Sequence, residues 1–260
     1  MTPDQLQQFV NVGVFAFILT FVRIGTAVMI MPGIGNAYVP ANVRLYFALG
    51  FTLVIAPLMQ MHVPNPLPST IPLFIMIVSE FGVGLFLGTV MRILMAAIDT
   101  AGMLIATQSS LANAQLFNPS FATQGTVIGV FLALTATMLL FATDLHHLML
   151  TGIIESYNAF PMGELPNTGD MFSVILKEVA YAFLVAIQMS APFLVIIQLL
   201  YIGMGVMAKL MPQVQIFMLA VPIQIYLALM ALTLVMSSMM LFWLTRFDEG
   251  YQFFYQMISK

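Results

Sequence analysis

The sequence predicts an all-α protein embedded in a membrane. Of its 260 residues, 61% are hydrophobic and only 7% are charged, and the mean hydropathy is +1.03. Soluble domains carry roughly 25% charged residues. Six apolar stretches are long enough for the roughly 20 helical residues that cross a hydrocarbon layer about 30 Å thick. A large soluble all-α core would need a polar face on most helices, and no such faces recur along the chain.

Prolines and glycines separate the six apolar stretches, because prolines end helices and glycines permit turn conformations. The third and fifth stretches exceed a single crossing, so each tilts, kinks or extends beyond the bilayer. Pro192, Pro212 and Pro222 are predicted kink or break sites. The six stretches cover about residues 9–31, 43–61, 71–98, 127–150, 171–207 and 217–245.

Composition also excludes several classes of function. The formal net charge is −3 and there is no basic run, which argues against nucleic acid as a partner. Cysteine is absent, so disulfides, thiol catalysis and cysteine-ligated metals are excluded. No nucleophile–base arrangement, phosphate-binding loop or dinucleotide fingerprint occurs, so we expect no enzyme activity and no cofactor. The start, MTPDQLQQF, lacks the basic residues of a cleavable signal peptide, so we expect the first stretch to be retained.

One segment is polar without being charged. Residues 107–126 read TQSSLANAQLFNPSFATQGT, and no charged residue lies between Asp99 and Asp144. Such a segment is too polar to face lipid and too uncharged for an ordinary solvated loop. Non-helical polar backbone at membrane depth is tolerated only where protein or a water-filled cavity surrounds it. The sequence therefore predicts that this segment lies inside a channel.

The third apolar stretch carries a polar helical face. Glu80, Gly84, Gly88 and Arg92 follow one another at i+4 spacing, so they share one side of a helix. The two glycines form a GxxxG pair, which lets another helix backbone come close. Asp99 lies about two turns beyond Arg92. This face predicts a crowded, polar helix–helix interface, and pairing of Glu80 with Arg92 across subunit contacts is one hypothesis for it.

Other charged residues leave alternatives open. Arg23 lies two-thirds along the first stretch and either snorkels from a helix end or faces protein or water. Asp144, His146 and His147 end the fourth stretch, where a proton relay or metal site would need such groups. No second histidine cluster accompanies them, so we favour a helix cap and interfacial anchor and expect no metal site.

A series of short motifs runs through nearly the whole chain. They are Pro32-Gly33-Ile34-Gly35, Val39-Pro40, Arg44, Glu80, Gly84, Gly88, Asp99, Gly102, Gln108, Asn118-Pro119, Asp144-Leu145-His146-His147, Ser156, Pro161, Gly163, Lys209, Met211-Pro212-Gln213, Phe217 and Pro222. Their order and spacing resemble the FliR family of export-apparatus subunits, which includes flagellar and injectisome members. Two departures stand out: Ser109 and Ser110 replace a glycine-containing step of the family pattern, and Lys209 stands where arginine is commoner.

The resemblance implies a core subunit of a flagellar type III protein-export gate, in the bacterial inner membrane at the basal body. Members assemble with FliP, FliQ and FlhB, and we expect FlhA as a further partner. Unfolded flagellar substrates pass through the gate, and membrane lipids surround it. The implied architecture is a single export-gate membrane domain over residues 1–260. Residues 1–205 resemble a FliP-like unit with a pore-plug loop at 108–125, and residues 206–260 resemble a FliQ-like hairpin.

The predicted site residues fall into two groups, and none is catalytic. The pore plug comprises Gln108, Ser110, Asn113, Gln115, Phe117, Asn118, Pro119 and Phe121. Inter-subunit or buried polar positions comprise Arg23, Arg44, Glu80, Gly84, Gly88, Arg92, Asp99, Lys209, Pro212 and Gln213. In this hypothesis the two phenylalanines of the plug narrow the pore, and a hydrophobic constriction blocks water and ions by dewetting.

Two alternatives remain open at this point. The injectisome counterpart would export different cargo by the same physics. A small-solute secondary transporter would use Arg23, Glu80, Arg92, Asp99 and Asp144 as an ion and substrate route, with broken helices at the midplane. Transporters of that kind show corresponding interrupted segments in two halves of the chain, and no convincing pair is found in this sequence.

Overall fold

A computed structural model describes residues 3–64, 70–113, 125–211 and 216–258. Every regular element within those ranges is helical, which confirms the predicted all-α class. Two short 3₁₀ turns, Gln60–His62 and Leu111–Asn113, follow the second and third helices. In chain order the α-helices are α1 (Pro3–Ile30), α2 (Ala41–Met59), α3 (Thr70–Gln108), α4 (Val127–Ala142), α5 (Leu145–Ala159), α6 (Thr168–Leu210) and α7 (Ile216–Ile258).

Five helical segments of the described chain are long and apolar enough to cross a membrane, as predicted for a membrane protein. A bent pair, α4 with α5, would make a sixth span if the two helices cross together. The 39 residues of α3 and the 43 residues of α6 exceed the length that one crossing needs. The five segments are Val12–Ile30, Ala41–His62, Thr70–Gln108, Thr168–Leu210 and Ala220–Gln252.

The fourth apolar stretch is divided between two helices. α4 ends at Ala142 and α5 begins at Leu145, with a bend of 73° between them. At the break Asp144 has a φ of 59°, a left-handed conformation that aspartate adopts more readily than most residues. The His147 N–H donates to the Asp144 carbonyl oxygen at 2.9 Å, so the new helix starts directly after the turn.

The predicted proline sites do not interrupt the helices that contain them. Pro192 lies inside α6 and Pro222 lies inside α7. Both helices continue past the proline, so neither position is a break, and a kink at Pro192 or Pro222 stays a prediction. The third predicted site, Pro212, lies outside the described residues.

The chain divides into two compact units. Unit 1 comprises Met1–Leu94, Phe141–Glu178 and Gly250–Lys260, and unit 2 comprises Met95–Leu140 and Val179–Glu249. The long helices α3, α6 and α7 each contribute to both units. The division near residue 205 into FliP-like and FliQ-like parts stays a prediction.

Unit 1 is built on close packing of α1 against α3. A Cβ added at Gly84 would lie 2.5 Å from the Arg23 carbonyl oxygen, and one at Gly88 would lie 2.8 Å from the Ile30 Cβ. Such distances are below van der Waals contact, so only glycine allows this approach. Around the contact the fully buried side chains include Leu19, Ile24, Leu87, Met91 and Phe254. The GxxxG face therefore contacts α1 of the same chain.

Unit 2 has a similar contact where the end of α3 meets the start of α4. A Cβ added at Gly102 would lie 2.8 Å from the Gly129 nitrogen. The Thr126 hydroxyl donates to the Gly102 carbonyl oxygen at 3.4 Å, and the Gly129 N–H donates to that hydroxyl at 3.0 Å. This arrangement fixes the point at which the chain re-enters a helix after the uncharged polar segment.

Candidate functional site

Arg23 is the centre of a buried polar cluster in unit 1. Its Nε lies 2.5 Å from Glu80 Oε2 and its Nη2 lies 2.9 Å from Glu80 Oε1. Both side chains are only 1% exposed, and the two parallel contacts give the bidentate geometry that favours arginine over lysine. The snorkelling interpretation of Arg23 is therefore wrong, because the guanidinium is neutralised inside the protein.

The remaining donors of Arg23 reach α5 and the residue that follows it. Nη2 donates to the Phe160 carbonyl oxygen at 2.8 Å, and Nη1 donates to the buried Ser156 hydroxyl at 3.3 Å. The guanidinium carbon lies 3.9 Å from the centroid of the Tyr157 ring, which is cation–π geometry. One arginine thus ties together α1, α3 and α5, all within unit 1.

The local sequence explains why Glu80 meets Arg23. Glu80 and Gly84 are one helical turn apart on the same face of α3, and Gly84 allows the backbone of α1 to come within contact. This close approach of the two helices brings the Arg23 side chain within hydrogen-bonding distance of the Glu80 carboxylate. Nearby, Ser79 anchors the segment that follows α5, because its hydroxyl donates to the Glu164 carbonyl oxygen at 2.9 Å.

Arg92 does not share the Glu80 partner within the chain. Its Nη1 donates to Asn36 Oδ1 at 2.8 Å, and the Arg44 Nη1 lies 3.4 Å from the Gly35 carbonyl oxygen. Both arginines therefore bind the turn between α1 and α2. A Glu80–Arg92 pair across subunits would therefore require the Glu80 carboxylate to bind a second arginine in addition to Arg23.

The beginning of the predicted plug is anchored in unit 2. α3 ends at Gln108, Ser109 is fully buried, and Ser110 has a φ of 61°. This left-handed conformation is the one that glycine adopts most easily, and Ser110 is one of the two positions where a glycine-containing step was expected. The Ser110 hydroxyl donates to Gln224 Oε1 on α7 at 2.5 Å. Gln224 is 3% exposed.

Most of the plug lies outside the described residues. Asn113 ends the 3₁₀ turn Leu111–Asn113, and the described chain resumes at Gly125, with a φ of 82°. The predicted plug residues Gln115, Phe117, Asn118, Pro119 and Phe121 fall in the gap.

The remaining predicted residues are dispersed. Asp99 is exposed on α3 and Lys209 is exposed in the last turn of α6. Pro212 and Gln213 lie outside the described residues.

The side chains of Asp144, His146 and His147 lie close together in the structure. One ligand atom from each of Asp144, His146 and His147 lies within 4.8 Å of the others. Asp144 occupies the N-cap position of α5, but its side chain makes no capping bond. Instead the Asp144 carboxylate lies 3.4 Å from His147 Nδ1, and both side chains are mostly exposed. Asp144 therefore lies at a helix end, as expected, but its side chain does not make the hydrogen bond of a helix cap.

Two functional candidates, Gln224 and Glu178, were missed by the sequence analysis, and Ser156 was named there only as a motif position. Gln224 binds Ser110 across more than 100 positions of sequence, so no local pattern could have identified its partner. Glu178 on α6 is 3% exposed, and its Oε2 has no hydrogen-bond partner in the described part of the chain. A charged residue inside a long apolar helix was the available signal for Glu178.

Comparison with known proteins matches the chain to one family over most of its length. The family model described as bacterial export proteins, family 1, covers residues 14–250. A flagellar biosynthetic protein FliR from Caulobacter vibrioides is 37% identical over 91% of this chain and 94% of its own. FliR from Bacillus subtilis is 30% identical over 85% and 86%. Yop proteins translocation protein T from Yersinia pestis is 26% identical over 65% of each chain. The chain therefore belongs to family 1 of the bacterial export proteins.

Proposed function

We propose that this chain is a core subunit of the flagellar type III protein-export gate in the bacterial inner membrane. The observation that carries the proposal is the family match over residues 14–250, together with flagellar relatives that cover nearly the whole chain. The long apolar helices support a membrane location. In this proposal the chain assembles with FliP and FliQ, contacts FlhB and FlhA, and belongs to the flagellar basal body.

The second part of the proposal assigns the uncharged polar segment to the pore. Residues 108–125 close the channel until an unfolded substrate displaces them, with Phe117 and Phe121 forming a dewetting constriction. The anchored flanks support this assignment. At the start of the segment Ser110 binds Gln224, and directly after its end Thr126 binds Gly102, with all four residues in unit 2. A segment held firmly at both ends can block a pore without leaving it.

The injectisome role is a second candidate, favoured by the similarity to the Yersinia protein. The flagellar relative from Caulobacter is more similar and covers more of the chain, so the flagellar role is the main proposal. The small-solute transporter has less support. Arg23 and Glu80, two of its required residues, neutralise each other in a buried pair and leave no free charge for a solute.

The test is the ion conductance of membranes that contain the assembled complex. The chain is co-expressed with FliP and FliQ, and residues 108–125 are replaced by a short glycine–serine linker. We expect the replacement to raise the conductance, because the constriction is removed. A matched variant, Phe172→Asn with Phe183→Asn, removes two exposed phenylalanines elsewhere and should leave the conductance low. An assembled complex that conducts no better with the linker would refute the plug assignment while leaving the family role untouched.

A further inference from the structure

Two arginines and a tyrosine converge on the turn between α1 and α2. Arg92 from α3 binds the side chain of Asn36, and Arg44 from α2 lies against the carbonyl group of the preceding residue, Gly35. The Asn36 Nδ2 then donates to the Tyr38 hydroxyl oxygen at 2.6 Å. All of these residues belong to unit 1. We call Tyr38, Arg44 and Arg92 the donor cluster.

The donor cluster has more hydrogen-bond donors than acceptors. A guanidinium carries five N–H donors, and each arginine makes one bond to the turn. The buried Nε of Arg44 has no hydrogen-bond partner among the residues that the structure describes. The Tyr38 oxygen accepts from Asn36, so its own hydrogen is available to an acceptor. No carboxylate pairs with either arginine, because the ion pairs among the described residues are Arg23–Glu80, Asp144–His147 and Arg246–Glu249.

The turn that carries the cluster is sterically fixed. Gly33 has a φ of 86°, which disfavours any side chain. A Cβ added at Gly35 would lie 2.6 Å from the carbonyl oxygens of Met29 and Met31, so the turn is folded tightly onto the end of α1. A rigid turn holds the donors in place before a ligand arrives, which lowers the entropic cost of binding.

The cluster lies where a membrane-length segment begins. The segment Ala41–His62 is long and apolar enough to cross a bilayer, and Arg44 stands in its first turn. Large apolar side chains on α2 are exposed in the single chain, among them Leu53, Val54 and Leu58. The tyrosines near the cluster, Tyr38 and Tyr46, are also exposed, and tyrosine is enriched at the level of lipid headgroups. The start of α2 therefore carries headgroup donors, and the same helix exposes large apolar side chains further along.

We propose that the donor cluster binds the phosphate group of an anionic membrane phospholipid, whose acyl chains lie along the exposed face of α2. Arginine guanidinium groups match the oxygens of a phosphate in geometry and charge. Basic pockets between membrane helices are known headgroup sites. A zwitterionic lipid would bring a cationic group for which the cluster offers no carboxylate. A carboxylate of a partner protein would satisfy the donors equally, but it would not explain the adjoining apolar face.

Native mass spectrometry of the purified full-length chain tests this proposal. The chain is incubated in detergent with phosphatidylglycerol, with phosphatidylcholine or with inorganic phosphate. We expect retention of phosphatidylglycerol above phosphatidylcholine. The double variant Arg44→Gln with Arg92→Gln should lower that retention about tenfold, because each arginine contributes to attraction of an anionic lipid. The control Lys177→Gln with Arg246→Gln removes the same charge elsewhere and should retain lipid as the wild type does.

A milder variant covers the case in which the double variant does not fold. Tyr38→Phe removes one exposed donor and leaves both arginines, so it should weaken phosphatidylglycerol binding by a few-fold. The proposal is overturned if the folded variants retain as much phosphatidylglycerol as the wild type. It is also overturned if inorganic phosphate displaces the lipid at equal concentration, or if the arginine variants lose a co-expressed partner subunit while keeping the lipid. The first two outcomes leave the export role untouched, and loss of a partner subunit would assign the two arginines to assembly of the complex instead.

Discussion

Arg23 of α1 and Glu80 of α3 form a bidentate ion pair in which both side chains are 1% exposed. A pair of this kind costs desolvation free energy for both ions, and the attraction offsets that cost only when the geometry is good and the other donors are bound. Here the carbonyl oxygen of Phe160 and the hydroxyl of Ser156 bind the remaining guanidinium nitrogens. The pair therefore specifies how three helices of unit 1 meet.

Breaking the pair on one side should destabilise the protein. Glu80→Gln leaves the Arg23 charge buried without a counter-ion, and removing one partner of a buried pair costs about 3–5 kcal/mol. Arg23→Met should have a similar effect through the stranded carboxylate. The double variant Arg23→Met with Glu80→Leu should recover much of the loss, since no charge is then buried. Thermal unfolding of the detergent-purified chain measures the effect, and additive losses in the double variant would contradict the coupling.

The glycines of α3 offer a second prediction with an internal control. Gly84→Ala would place a methyl group against the Arg23 carbonyl oxygen and the Thr26 side chain, whereas a Cβ at Gly82 meets nothing within 4 Å. We expect Gly84→Ala to destabilise the chain by about 1–3 kcal/mol, the usual cost of overpacking. Gly82→Ala should be neutral or slightly stabilising, because alanine is the better helix former. Equal melting temperatures for the two variants would show that α1 and α3 do not pack closely.

The anchor of the polar segment provides the third prediction. Gln224→Leu removes the acceptor for the Ser110 hydroxyl, so the start of the segment loses a bond to α7. We expect faster proteolysis within residues 108–126 in the assembled complex, because local opening exposes backbone to the protease. Gln188→Leu, at an exposed position on the neighbouring helix α6, is the control and should leave the cleavage rate unchanged. If both variants are cleaved as slowly as the wild type, Gln224 does not hold the segment.

The helices could be predicted from the sequence because their signal is local. Hydropathy over about 20 residues identifies a membrane-length helix, and the predicted stretches 43–61 and 171–207 match α2 and α6 within a few residues. The fourth predicted stretch is interrupted at Asp144. The break there depends on one residue adopting a left-handed conformation, which hydropathy does not report. The ends of α3 and α7 also extend past the predicted stretches into polar sequence.

The partners of the polar residues could not be predicted in the same way. Helical spacing placed Glu80 and Arg92 on one face, and this suggested a partnership between them or across subunits. The actual partner of Glu80 is 57 residues earlier in the chain, and the pairing depends on the close approach that Gly84 permits. A pattern within one helix identifies which face is polar, but the choice of partner is a tertiary property.

Glu178 permits a comparison between identical substitutions in opposite environments. Its side chain is buried like that of Glu80, but its Oε2 has no bond in the part of the chain that the structure describes. Burying an unpaired carboxylate is unfavourable, so Glu178→Gln, which removes only the ionisable group, should leave stability unchanged or raise it. Glu80→Gln should lower the melting temperature by several degrees under the same conditions. Equal losses in the two variants would mean that Glu178 is held by a charged partner as Glu80 is by Arg23, and its burial would then have the same structural explanation.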